Sequence, residues 1–247
     1  MKCTCGVGAK KPCHQCHVEG VRGETSTGQK AKTYYIPLTV PGAKVNRYEK
    51  EVLHNLRTRE DYLRAYYLLD TAKSEAERKK IRQETGINRA SIWPLLPYFD
   101  MGRAIPGGYM HAYMHPVCIN LIRALVTLWR GEFKGLDAGS GSYIIPAEIW
   151  KAIGEETRDS NRWIPAAFVR SLPNIDTDFG NFTAEASAFW VMYIAPHVLR
   201  GRLPEPYYSH LLDLVTIMKT CTKFGMTRKE HARLSQDIYE WRLAYEE

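Results

Sequence analysis

The sequence predicts a mainly α-helical protein of 247 residues, with its few strands confined to a basic, cysteine-rich N-terminal segment. Three observations predict this. Helix-capping residues stand before successive periodic runs, at Thr58, Ser74, Thr183 and Thr227. The most apolar run, IPGGYMHAYMHPVCINLIRALVTLWRG (105–131), is too long for a strand. The one strand-like run, Thr33 to Val40, is stopped by Pro41-Gly42 within the first fifty residues.

Each element follows in order. Residues 18–50 are rich in Gly, Lys, Ser and Thr and read as an extended connector with at most a short hairpin. Thr58 with Asp61 caps a helix carrying Tyr62, Ala65, Tyr66 and Leu69 on one side. Ser74 with Glu77 is a capping box for a short charged helix ending at Gly86, the residue best suited to a left-handed C-terminus. Pro94, Pro97 and Pro106 make 87–107 a loop with one helical turn near Ser91–Trp93, and 108–130 is the central helix.

Asp137 to Tyr143 is a turn, and Pro146 opens a helix through Trp150 and Ile153. Residues 159–182 are irregular. Thr183 then caps a helix whose near-continuous apolar face marks it as buried. Pro204 starts another, through Leu211, Leu214 and Ile217, and Thr227 with Glu230 caps the last, which runs to Tyr245. The expected division is a segment of residues 1–50 and a helical domain of residues 51–247.

Charge follows the same division. Residues 1–50 hold nine Lys/Arg against Glu19, Glu24 and Glu49, a net +6, which leaves +1 for the rest of the chain. A basic end suits a phosphate backbone, with Lys10, Lys11, Lys30 and Lys32 as the candidate DNA contacts. No secretory leader is expected, because Met1 precedes polar and Cys residues rather than an apolar run. No membrane span is expected either, since Asn120, Arg123, Pro196 and His197 break the longest apolar runs.

Four of the six cysteines fall within the first sixteen residues, which in a chain without an export signal favours metal over disulfide. Cys13-x-x-Cys16 has the spacing of a zinc knuckle, and Cys3 and Cys5 are the candidates to complete a tetrahedral structural zinc site. The alternative is a loop of reduced thiols.

His111 and His115 lie at i and i+4, but no acidic residue stands between them as in His-Glu-x-x-His, so they read as helix-interior histidines. Gly139-Ser-Gly141 lacks the Lys-Ser/Thr of a phosphate loop. Glu155-Glu156 and Glu246-Glu247 read as helix-surface residues. No small-molecule site and no catalytic constellation is legible.

The string FKGLDAGSGSYIIPAEIWKAIGEET (133–157) resembles the transposases of CACTA-type (En/Spm-like) elements and their Kyakuja–Dileera–Zisupton relatives, in the version abundant in mushroom-forming fungi. Further pieces resemble the family in the same order: the Cys13-x-x-Cys16 knuckle, TYYIPLTVP (33–41), LRTREDYLR (56–64), IPAAFVRSLPNI (164–175), TAEASAFW (183–190) and LPEPYYSHLLDLV (203–215). The resemblance implies the insertion and C-terminal part of an RNase H-like transposase. Such enzymes hold two divalent metals on three carboxylates.

The family's first two catalytic Asp lie upstream of the knuckle and so outside this sequence, and relatives continue past Glu247. Where relatives carry an Asp and a Glu in the central helix, this sequence has Ala112 and Ile119, or in the other register Gly108 and His115. Glu185 is then the fallback catalytic carboxylate.

The resemblance implies a degenerate, non-catalytic transposase-derived protein, nuclear or otherwise cytoplasmic, with nonspecific DNA binding. The alternatives are a protein-interaction module pairing with a full-length transposase and a residual metal-dependent nuclease.

Overall fold

A computed structural model describes residues 4–5, 9–23, 32–34, 56–93, 96–100, 110–133 and 141–246. The chain forms two compact units, residues 1–107 and 108–245. The compositional boundary after residue 50 is therefore not the boundary between the units, because the first two helices pack with the cysteine-rich segment.

In the first unit, β1 (Val21–Gly23) and β2 (Lys32–Tyr34) pair antiparallel, with Arg22 opposite Thr33. The expected strand thus begins one residue early, and its continuation to Val40 lies outside the described residues. Helix α1 (Arg59–Thr71) begins at a complete capping box: the Thr58 hydroxyl accepts from the Asp61 amide, and the Asp61 carboxylate accepts from the Thr58 amide. Its Tyr62, Ala65 and Leu69 are buried at the i, i+3, i+7 spacing of one helical face.

Helix α2 (Glu75–Thr85) begins at Ser74, whose hydroxyl accepts from the Glu77 amide, while the Glu77 carboxylate reaches the Lys73 amide instead of Ser74's own. It ends at Gly86, with φ +72°. A Cβ at Gly86 would also collide with the Lys11 carbonyl oxygen, so glycine is needed there twice over. Ile81 and Ile87 join the α1 face in a small core that Trp93 and Phe99 flank.

The second unit holds the larger core. A π-helical segment, Met110–Leu121, continues as α3 (Ile122–Trp129). The expected central helix is thus present but wider over its first half. Pro116 has no amide hydrogen, so the α-pattern bond to residue 112 cannot form there. Cys118, Ile122, Leu125, Val126 and Trp129 are buried, and each large apolar side chain contributes roughly 1.5–3 kcal/mol of burial free energy.

Helix α4 (Ala147–Asp159) starts directly after Pro146 and buries Trp150, Ile153 and Thr157. The Thr183 hydroxyl accepts from the Ala186 amide and opens α5 (Ala184–Phe189). That helix passes through a π-helical turn, Trp190–Ile194, into α6 (Ala195–Val198). The irregular stretch between α4 and α5 carries two single 3-10 turns, Ser160–Arg162 and Phe179–Asn181.

Helix α7 (Tyr207–Cys221) begins after Pro206 rather than at Pro204. Helix α8 (Arg228–Glu246) opens with the full Thr227–Glu230 capping box. Among the described residues, no helix is long and apolar enough to cross a membrane.

Helices α7 and α8 are joined by one reciprocal contact. The His210 ring stacks on Trp241 with centroids 4.3 Å apart. His210 Nε2–H donates to the Trp241 carbonyl at 2.9 Å, and Trp241 Nε1–H donates to the His210 carbonyl at 2.9 Å. A carbonyl can only accept, which places the imidazole proton on Nε2.

Burial lowers the His210 pKa, against the opposing pull of the Trp241 carbonyl and Asp213. With the folded value below that of an unfolded histidine (about 6.5), the unfolded chain takes up the proton first. The stability from this joint is therefore complete above the unfolded value and is lost as pH falls through the folded one. The melting temperature of the wild type is expected to fall more steeply than that of His210→Gln between about pH 7 and pH 5. Parallel melting curves across that range would remove histidine from the joint's pH response.

Candidate functional site

Cys13 and Cys16 sit in a loop that the rest of the first unit holds in place. Arg57, only 3% exposed, donates from Nε to the carbonyls of Cys13 (2.9 Å) and Cys16 (3.1 Å) and from its terminal nitrogen to the Thr85 carbonyl (2.7 Å). The Arg57 amide donates to the Gln15 carbonyl, Cys16 pairs with Leu56 in an isolated bridge, and the Tyr62 hydroxyl donates to the His14 carbonyl. One guanidinium thus ties both ends of the Cys-x-x-Cys turn to the C-terminus of α2.

Within the turn, the Gln15 amide donates to Cys13 Sγ at 3.3 Å. The Cys16 thiol donates to the Cys13 sulfur, which lowers the Cys13 pKa to about 5 with help from the Gln15 and Cys16 amides and His14. The same bond, with burial, pushes Cys16 upward, while the Val18 amide opposes the rise. The Gln15 amide thus points at the Cys13 sulfur, with Cys16 at the other end of the same turn. A Cys-x-x-Cys turn is able to supply two ligands to a soft divalent ion.

The other predicted ligands are placed differently. The Cys5 thiol donates to the Arg82 carbonyl at 3.6 Å, and burial raises its pKa against the pull of Arg82 and Arg57. Cys3 lies outside the described residues. His17 Nε2 meets Asp61 Oδ2 at 3.1 Å, while His14 Nε2 is buried with no hydrogen-bond partner among the described residues. Two of the expected zinc ligands, Cys13 and Cys16, are therefore brought together. Among the described residues no cluster of three or more metal-ligating side chains forms.

Of the candidate DNA contacts, Lys10 and Lys11 flank this loop and share Glu19, at 2.6 and 3.7 Å. Two ammonium groups against one carboxylate leave the corner cationic. Lys30 and the side chain of Lys32 lie outside the described residues, as do the side chains of His111, Ala112 and His115.

Glu185 is exposed on the first turn of α5 and lines a groove of about 600 Å³ in the second unit. The groove's other described lining residues are apolar or neutral, with Met114, Trp163, Phe168, Phe189 and Met192 among them. The resemblance implies a set of three carboxylates; among the described lining residues Glu185 is the carboxylate present.

The aromatic groove and the Arg57 clamp were not legible in the sequence. Arg57 is one arginine among many until the fold buries it. Trp163 and Phe168 stand in an irregular stretch with no periodicity to mark a face. The chain matches no protein-family model, and no curated protein or solved structure is significantly similar to it.

Proposed function

We propose that this is a non-catalytic, transposase-derived protein that works by contact, with its N-terminal unit organised by zinc at Cys13 and Cys16 and directed to the DNA backbone. The observation that carries the reading is the Cys-x-x-Cys turn that Arg57 clamps through the Cys13 and Cys16 carbonyls, with Lys10 and Lys11 beside it. The metal's part would be structural. A chelated turn fixes the flanking lysines, and fixed cations release counterions from phosphate without reading bases.

Protein purified without chelator is expected to carry about one zinc ion per chain by mass spectrometry, lost in the Cys13→Ser, Cys16→Ser variant. DNA binding is expected to weaken with salt irrespective of sequence. Neutralising Lys10, Lys11, Lys30 and Lys32 to Gln should lower the log–log salt slope by about 3 to 4. No zinc in the wild type would remove the metal. No binding at about 50 mM salt, or an unchanged slope in the Gln variant, would remove the DNA contact.

A further inference from the structure

The turn that carries Cys13 and Cys16 is held without its sulfurs. The chain bends at His14 and Gln15, and each carbonyl from Cys13 to Cys16 accepts a hydrogen bond from outside the turn. Arg57 Nε–H reaches those of Cys13 and Cys16, the Arg57 amide reaches that of Gln15 at 2.8 Å, and the Tyr62 hydroxyl reaches that of His14. Neither thiol takes part in these bonds, so the sulfurs can change partners while the backbone stays in place.

The neighbouring soft ligands are engaged elsewhere. The Cys5 thiol donates to the Arg82 carbonyl and His17 meets Asp61. Among the described residues no cluster of three or more metal-ligating side chains forms. Cys13 and Cys16 thus stand as a dithiol on one turn, both half-buried rather than enclosed. Beside them, Lys10 and Lys11 share the single carboxylate of Glu19, which leaves a cationic approach for an anionic reagent.

We propose that Cys13 and Cys16 are a reversible dithiol–disulfide pair that exchanges with anionic low-molecular-weight disulfides of the oxidised-glutathione class. The same two sulfurs are the zinc ligands proposed above, so oxidation and metal binding compete for them. Release of zinc on oxidation rests on that reading; the exchange itself needs only the turn.

Cys13, deprotonated, attacks one sulfur of glutathione disulfide; that S–S bond breaks and one glutathione leaves as its thiolate. Cys16 then gives up its proton and attacks the Cys13 sulfur of the mixed disulfide, and the second glutathione leaves. The chain loses two electrons and two protons, and one glutathione disulfide becomes two thiols. Cys13 is the attacking sulfur because the amides of Gln15 and Cys16 both point at it, against that of Val18 alone for Cys16. The second step joins two groups already on one clamped turn, which makes the mixed disulfide short-lived. Both sulfur ligands are consumed in the new bond, so a metal-loaded chain gives up its ion.

The test uses the full chain, as purified and after chelator treatment, in buffers of reduced and oxidised glutathione. Remaining thiols are blocked with N-ethylmaleimide and located by peptide mass spectrometry, and zinc is followed with a colorimetric chelator. The metal-free chain is expected to form the Cys13–Cys16 disulfide as the oxidised fraction rises and to lose it when reduced glutathione is restored. The zinc-loaded chain should oxidise roughly tenfold or more slowly, releasing its ion in step with the disulfide. Cys16→Ser should accumulate glutathione on Cys13 several-fold faster than Cys13→Ser accumulates it on Cys16. The Arg57 amide should keep its exchange protection in the disulfide form, because its bond to the Gln15 carbonyl involves neither sulfur.

Two thiols that stay reduced in the metal-free chain under oxidised glutathione would overturn the assignment. So would pairing of either with Cys5, or stable glutathione adducts on both with no bond between them. A chain purified without zinc that still forms the disulfide removes the metal and keeps the redox pair. A zinc-bearing chain whose metal-free form resists oxidation does the reverse.

Discussion

Trp190→Ala is expected to be the most damaging single substitution in the second unit, costing about 3–5 kcal/mol. Trp190 is completely buried, and its Nε1–H donates to the Thr157 hydroxyl at 3.0 Å. It therefore joins α4 to the α5–α6 run by packing and by a polar bond inside the core. Truncation leaves a cavity and a buried hydroxyl without its donor. The total is a large fraction of the 5–15 kcal/mol that ordinarily holds a domain folded.

Trp190→Phe separates the two terms. It keeps most of the apolar volume but not the donor, so about 1–3 kcal/mol should remain. Urea melts of the three proteins, monitored by far-UV circular dichroism, provide the measurement. If Trp190→Phe is as costly as Trp190→Ala, packing volume is not what Trp190 supplies.

Arg57→Ala is expected to dismantle the cysteine loop. Its guanidinium is the donor to three carbonyls, on Cys13, Cys16 and Thr85. These carbonyls are partly buried, and leaving each without a donor costs up to about 1–3 kcal/mol. Arg57→Lys should recover only part of this, because an ammonium group has no planar fork to span two turns of chain.

Hydrogen exchange should show protection lost at Gln15 and around Gly86, and zinc retention should fall with it. Protection unchanged in Arg57→Ala would mean that the Cys16–Leu56 and Thr4–Ile87 bridges suffice to hold the loop. The Trp190 and Arg57 substitutions act in different compact units, so their effects are expected to be separable.

The capping residues show how far local chemistry reaches. Thr58, Ser74, Thr183 and Thr227 each accept a backbone amide at the start of the helix they were expected to open. These are bonds over three residues, so nothing distant can alter them much. Glu77 shows the margin: its carboxylate is near enough to choose between two adjacent amides and takes Lys73's. The central helix went differently because Pro116 removes a donor in mid-run, and the backbone there widens into π-helical turns.

The cysteine loop shows the limit from the other side. Spacing alone marked Cys13 and Cys16 as a pair, because two residues between thiols allow one tight turn to present both sulfurs together. Spacing also suggested Cys5 as a third ligand, yet its thiol turns to the Arg82 carbonyl at the end of α2. That helix end is seventy-seven residues away, and no local rule connects the two.

The helical class, the starts of four helices, the glycine at the end of α2 and the paired thiols are legible in the chain's local chemistry. All of these depend on interactions within a few residues. Packing was needed to show that α1 and α2 belong with the cysteine segment, that Arg57 is a buried clamp, and that Glu185 lines an apolar groove with exposed Trp163 and Phe168. Those depend on which surfaces meet after collapse, and burial of an arginine or exposure of a tryptophan is set by neighbours that the local sequence does not contain.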